Sequence, residues 1–180
     1  MNVLIIDDEP VSRRILKRLL SRFSDLATHE AEDGEEAWTL LGDVAPALIF
    51  CDLSMPRMDG VAFLTKLRSN QAFGEMPVIV TSAGKDRDTL LQLKDLRILD
   101  YLLKPFELAP TFARLERLLA PIIAEDRMAA KARAASARAA QAAAEAVAKT
   151  EAAARAVGAG GGDGAAAPAE PQREEPSSSS

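Results

Sequence analysis

Asp7 and Asp8 follow the apolar run Val3-Leu4-Ile5-Ile6, and Asp52 follows Ala47-Leu48-Ile49-Phe50-Cys51. Ser82 closes Val78-Ile79-Val80-Thr81, and Lys104 closes Tyr101-Leu102-Leu103. Brought to one place, three carboxylates repel, and burial raises the cost of ionising them together. A hard divalent cation with oxygen ligands relieves that repulsion, and Mg2+ suits a few carboxylates, waters and a phosphate. One carboxylate could then attack phosphorus to form an acyl phosphate. A lysine could hold a phosphoryl oxygen as a point charge, and a hydroxyl could donate to another.

That chemistry requires elements that gather these residues. Short apolar runs separated by helical stretches read as parallel strands buried on both faces, and such sheets bind ligands beyond the carboxyl ends of their strands. Val11, Ile15, Leu16, Leu19, Leu20 and Phe23 draw one apolar stripe on a helix that Pro10 can open. Residues 26 to 30 make a weaker strand, and Asp33-Gly34 a turn before a short second helix with Ala37, Trp38, Leu40 and Leu41. Met58-Asp59-Gly60 turns into a third helix carrying Val61, Phe63, Leu64 and Leu67. Leu90, Leu91, Leu93, Leu96 and Ile98 mark a fourth, and Leu108, Phe112, Leu115, Leu118 and Leu119 a fifth. The expectation is an α/β domain over residues 1–120, doubly wound around a five-stranded parallel sheet with β-α repeated five times.

Pro121 stands where the fifth helix is expected to end, since proline inside a helix removes a hydrogen bond and clashes. An Ala-rich helix is predicted over 121–157, and a disordered tail over 158–180, where glycine, proline, glutamate and serine cannot build a core. Alanine fills every heptad phase of that helix, so an exposed helix and an oligomerising one both stay open. Apolar residues make up 48% of the 180, a figure inflated by this alanine. The net charge of -5 argues against nucleic acid or an anionic membrane as partner. No apolar stretch reaches the roughly 18 to 20 residues of a membrane span, and the start has no signal-peptide pattern. A cytoplasmic protein is expected, with the single Cys51 as a core residue and His29 as an exposed bystander.

Four segments carry a resemblance: Asp7-Asp8-Glu9-Pro10, Asp52-Leu53-Ser54-Met55-Pro56-Arg57-Met58-Asp59-Gly60, Thr81-Ser82-Ala83 and Tyr101-Leu102-Leu103-Lys104-Pro105-Phe106. In order, and each at a strand end, they resemble the receiver domain of two-component response regulators over about residues 2 to 120. The resemblance implies a flavodoxin-like fold in which Asp52 is the phosphoacceptor. It implies that Asp7, Asp8, Asp52 and the backbone carbonyl of Ser54 hold Mg2+, and that Lys104 pairs with the phosphoryl group. Ser82, followed by Ala83, is then the hydroxyl that moves toward that group, and Tyr101 resembles the aromatic switch that follows it. A cis Lys104-Pro105 bond is also implied. Leu99-Asp100 departs from the family's common Gly-Ala before the last strand.

The implied partners are a sensor histidine kinase or phosphotransfer protein, and a downstream target at the face of the fourth helix, fifth strand and fifth helix. On this reading the chain is a phosphorelay signalling domain and not a turnover enzyme. Two rivals remain: a phosphorylation-independent adaptor working through the Ala-rich helix, and a Mg2+-dependent phosphohydrolase with an aspartate nucleophile. Residue by residue, structural roles also stay open, with Asp8-Glu9 as a helix cap, Lys104 as a snorkelling surface lysine and Tyr101 as a packed core residue. Neither GxxxxGK[ST] nor GxGxxG follows the first strand, so nucleotide binding has no support.

Overall fold

The computed structural model describes residues 1–84 and 93–158. Five strands, β1 (Asn2–Ile6), β2 (Ala27–Ala31), β3 (Leu48–Asp52), β4 (Val78–Ser82) and β5 (Asp100–Leu103), form one sheet in the order β2-β1-β3-β4-β5. Every pairing is parallel. The strand order reverses between β1 and β3, which makes that pair the switch point where a crevice opens at the carboxyl edge.

Among the described residues three helices connect the first four strands: α1 (Pro10–Leu20), α2 (Gly34–Val44) and α3 (Gly60–Arg68). Pro10 occupies the first turn of α1, where a missing backbone donor costs nothing. Asp33 caps α2 by accepting from the Glu35 and Glu36 amides at 2.8 and 2.9 Å, and Asp59 caps α3 through the Ala62 amide at 2.8 Å. A last helix, α4, spans Leu108–Gly158.

The sheet is apolar on both faces. Leu4, Ile6, Ile49, Cys51, Val78 and Val80 pack on one face with Leu41, Phe63, Leu64 and Leu67. Val3, Ile5, Leu48, Phe50 and Ile79 pack on the other with Leu16, Leu19, Leu20, Leu115 and Leu119. Helices thus cover both sides, and only the strand ends are left for polar chemistry. His29 departs from the expected exposed position. It is half-buried on the edge strand, and its Nε2 is enclosed without a hydrogen-bond partner among the described residues.

The helix expected to stop at Pro121 runs through it. Just past the proline, Ile122 and Ile123 are half-buried against the core that holds Leu115 and Leu119. The Arg127 Nε lies 2.9 Å from Asp25, and the amino terminus lies 3.4 Å from Asp126. Apolar burial of this kind offsets the local cost of proline in a helix. One compact unit accordingly spans Met1–Ala132, and a second begins at Arg133, where every side chain through Ala152 is exposed. Of the expected fourth helix, Leu90 and Leu91 lie outside the described residues, as does the tail after Gly158. Leu93 and Leu96 are buried against the first face of the sheet.

Truncation checks this boundary. A chain ending at Ala120 should be about 1–3 kcal/mol less stable than one ending at Ala132, from the lost burial of two isoleucines. Urea midpoints of the two truncations measure the difference, and equal midpoints would restore the boundary to Pro121.

Candidate functional site

Because β1 and β3 are register partners (Ile6 with Cys51), Asp7 and Asp52 emerge next to each other at the edge of the sheet. Asp7 is fully buried and Asp52 nearly so, whereas Asp8 is exposed. Carboxylate oxygens of all three lie within 4.8 Å of one another. The Lys104 Nζ, carried on the residue after β5, lies 2.8 Å from Asp7 Oδ2 and 3.1 Å from Asp52 Oδ1. The contact with Asp7 is one of charge against charge without an aligned hydrogen bond, so Asp7 Oδ2 keeps unused acceptor capacity.

The backbone around the two acids is tightly held. Asp7 Oδ1 accepts from the Glu9 amide at 3.0 Å, and the Asp7 carbonyl accepts from Arg13 at 2.6 Å. Asp52 Oδ2 accepts from the Ser54 amide at 3.3 Å, which turns the chain back above the strand. Gly60 permits that turn. A Cβ there would stand 2.1 Å from the Asp52 carbonyl oxygen, so the start of α3 rests directly on the end of β3. The loop between them is pinned from the side by an ion pair of Arg57 with Asp33 and by the Gly34 amide on the Met58 carbonyl at 3.1 Å.

Ser82 ends β4 at the same edge and is buried, with its hydroxyl 3.2 Å from the Gly84 amide. Tyr101 is half-buried, with its hydroxyl donating to the Gly84 carbonyl. The Lys104-Pro105 bond is cis. Asp100, where the resemblance implied a small residue ahead of the strand, is the first residue of β5 and accepts two hydrogen bonds from Arg114, at 2.7 and 2.6 Å. Glu9 stands at the N-cap of α1 but makes no side-chain cap bond. Asp7, Asp8, Asp52, Ser54, Ser82 and Lys104 therefore lie at the carboxyl edge, with Asp7, Asp8, Asp52 and Lys104 in direct proximity, while Tyr101 sits within β5 opposite Val80. The reading of the sequence missed the close approach at Gly60 and the Asp33–Arg57 pair. The Asp-Gly dipeptides at 33–34 and 59–60 announced turns, but which loop each would touch was not written there.

Burial pushes the Asp52 carboxyl above its ordinary range. Lys104 opposes the shift, and Asp7 adds to it. For Lys104 burial acts downward, yet the close contacts and charge of Asp7 and Asp52 outweigh it, so the amine is raised. The donor set consists of oxygens, is partly desolvated and outnumbers its cation three to one, which fits a hard divalent metal.

The two shifts have opposite signs for stability. A raised carboxyl means the folded state gives up its proton at higher pH than the unfolded chain, so stability falls as pH rises through that interval. The Lys104 contribution is complete below the ordinary lysine range and is lost only as pH rises past it. Asp52→Asn should therefore stabilise the metal-free protein at neutral pH, and the gain should shrink as pH falls through the carboxylate range. Lys104→Met, which strands two buried carboxylates, should cost about 1–3 kcal/mol. Denaturant titrations from pH 4 to pH 8 (roughly the carboxylate-to-neutral span) read both, and a destabilised Asp52→Asn would contradict the electrostatic account.

A family profile described as "Response regulator receiver domain" matches residues 3–116. The chain is 37% identical to the chemotaxis protein CheY1 of Helicobacter pylori over 108 residues, covering 59% of this chain and 86% of CheY1. It is 36% identical over 117 residues to the transcriptional regulatory protein SrrA of Staphylococcus aureus, covering 65% of this chain and 47% of SrrA. Against the sensor histidine kinase TmoS of Ectopseudomonas mendocina it is 35% identical over 126 residues, 70% of this chain but only 13% of that kinase. Among solved structures, the N-terminal domain of a Wolinella succinogenes protein matches with a TM-score of 0.61 at 28% identity, covering 69% of this chain and 98% of that one. A two-component response regulator from Legionella pneumophila shares the fold with a TM-score of 0.61 at 24% identity, covering 69% and 98%. With a site of this geometry at the switch point of this fold, and a family match across most of the compact unit, the chain belongs to the receiver domains of two-component response regulators.

Proposed function

We propose that this protein accepts a phosphoryl group on Asp52 from a phosphohistidine of a sensor kinase or phosphotransfer protein, and that the modification switches its binding to a downstream target. The observation that carries the reading is Lys104, whose amine lies against Asp52 and Asp7 together inside a three-carboxylate cluster. Asp7, Asp8, Asp52 and the Ser54 backbone carbonyl would hold Mg2+, which when bound supplies positive charge to offset that on the phosphoryl oxygens.

The residues of the chain do the rest. A carboxylate oxygen of Asp52 forms a bond to phosphorus as the bond from phosphorus to the donor's imidazole nitrogen breaks. The departing nitrogen keeps the bonding pair on a ring protonated at its other nitrogen, and leaves as neutral imidazole. Lys104 holds a phosphoryl oxygen as a point charge, close to where its amine already lies. Ser82 donates its hydroxyl to another oxygen, which withdraws it from Gly84 and frees the loop that Tyr101 also touches. A phosphoryl group adds about -1.5 to -2 charge at neutral pH, enough to bias such a two-state arrangement. The readout surface is the face of β5 and the start of α4, where Tyr101, Pro105, Thr111 and Arg114 line a groove, together with the preceding helix of the sequence. The domain acts in the cytoplasm as a signalling switch, without turnover of a separate substrate. No described helix is long and apolar enough to cross a membrane.

Incubation of the full chain with Mg2+ and a small acyl phosphate should add the mass of one phosphoryl group, and Asp52→Ala should add none. Labelling that persists in Asp52→Ala would sink the assignment, and turnover of phosphate esters would revive a phosphohydrolase. Partner binding lost on truncation after Ala132 but indifferent to Asp52→Ala would favour the adaptor. Mg2+ alone should raise the unfolding free energy, by about 2.7 kcal/mol at a hundredfold excess over Kd. A chelator should reverse the gain, and Asp8→Asn should diminish it.

A further inference from the structure

Thr81 carries an unexplained polar group. The residue is 1% exposed, and its Oγ1 has no hydrogen-bond partner among the described residues. A buried hydroxyl left unpaired is a cost that a valine of the same shape would avoid. Thr81 is the register partner of Asp52 on the neighbouring strand, and Leu102 is its partner on the other side. Parallel partners project to the same face, and alternation along β4 puts Thr81 on the face of Ile79. The row across the carboxyl edge of that face therefore reads Asp7, Asp52, Thr81, Leu102, with Lys104 two residues beyond Leu102.

The neighbours of the hydroxyl within the sheet leave few choices. Leu102 and Ile79 offer it nothing polar, and the strand carbonyls are engaged in the ladder. Asp52 stands one strand away, about 4.8 Å across the sheet, within reach of a single rotamer change. The Asp52 carboxylate makes one contact to Lys104 and one to the Ser54 amide, so each oxygen has a lone pair to spare. Lys104 can only donate, which leaves the hydroxyl proton of Thr81 for the carboxylate.

We propose that Thr81 is a positioning residue for the acceptor: its hydroxyl donates to the Asp52 carboxylate and fixes the plane in which that carboxylate meets phosphorus. The role is separate from that of Ser82, which alternation sends to the opposite face and which bonds Gly84. It rests on the phosphoacceptor reading above.

The experiment follows the time course of phosphorylation of the full chain by a small acyl phosphate at saturating Mg2+, using intact mass. The parent, Thr81→Val and Thr81→Ser are compared across donor concentration, with urea midpoints of all three. Thr81→Val should lower the limiting rate about tenfold, the worth of one hydrogen bond to a charged group. Its half-saturating donor concentration should stay unchanged, and its urea midpoint should show it fully folded under the conditions of the assay. Thr81→Ser should recover most of the rate. A Thr81→Val limiting rate within twofold of a labelled parent overturns the proposal alone, and so does a Thr81→Ser as slow as Thr81→Val. A parent that takes no label at Asp52 overturns the phosphoacceptor reading and this inference with it.

Discussion

The amine of Lys104 against Asp7 and Asp52 is the contact on which the site depends. Two buried carboxylates on adjacent strands repel, and the sheet gives neither room to turn away, because both follow residues locked in register. One cation reaching over from the end of β5 compensates part of that repulsion. What it leaves is a cluster still rich in negative charge, with Asp8 open to solvent beside it. That residual imbalance is destabilising for the empty fold and favourable for any cation that enters, so stability and binding are set by the same charges.

The surroundings are built to hold this arrangement still. The backbone of α3 sits directly on the end of β3, a fit that only the missing side chain of Gly60 allows. The loop above Asp52 is tied to the start of α2 through Arg57, Asp33, Met58 and Gly34, so the acceptor's two flanking turns move together or not at all. By contrast, Ser82 and Tyr101 both end on Gly84, where no atom of the described residues, chain neighbours aside, lies within 4 Å of where a Cβ would be. The rigid half of the site carries the acids, and the open half carries the hydroxyls.

The C-terminal helix shows how tertiary contacts override a local rule. Proline at 121 is a sound reason to expect a break, yet the helix continues because Ile122 and Ile123 gain a core to pack against and Arg127 gains Asp25. The cost of proline is local and known in advance, whereas the apolar cluster waiting beyond it is assembled from residues as distant in the chain as Val3 and Leu16. Past Ala132 no such surface is engaged, and the helix presents only exposed side chains through Ala152.

By itself the sequence determined the strand count, the parallel pairing and the sheet edge to which Asp7, Asp8, Asp52, Ser82 and Lys104 belong. Those follow from short-range signals: apolar runs of strand length, helical stripes between them, and polar residues one step past each run. The same signals placed Cys51 in the core, where it lies. They misplaced His29, because a polar neighbourhood in sequence says nothing about what covers an edge strand. Which carboxylate the lysine would touch, how closely α3 would approach the acceptor, and where Thr81 would find itself were decided only by the tertiary structure. The physical reason is that distances between side chains on different strands depend on register and twist, and those are settled by the packing of the whole sheet.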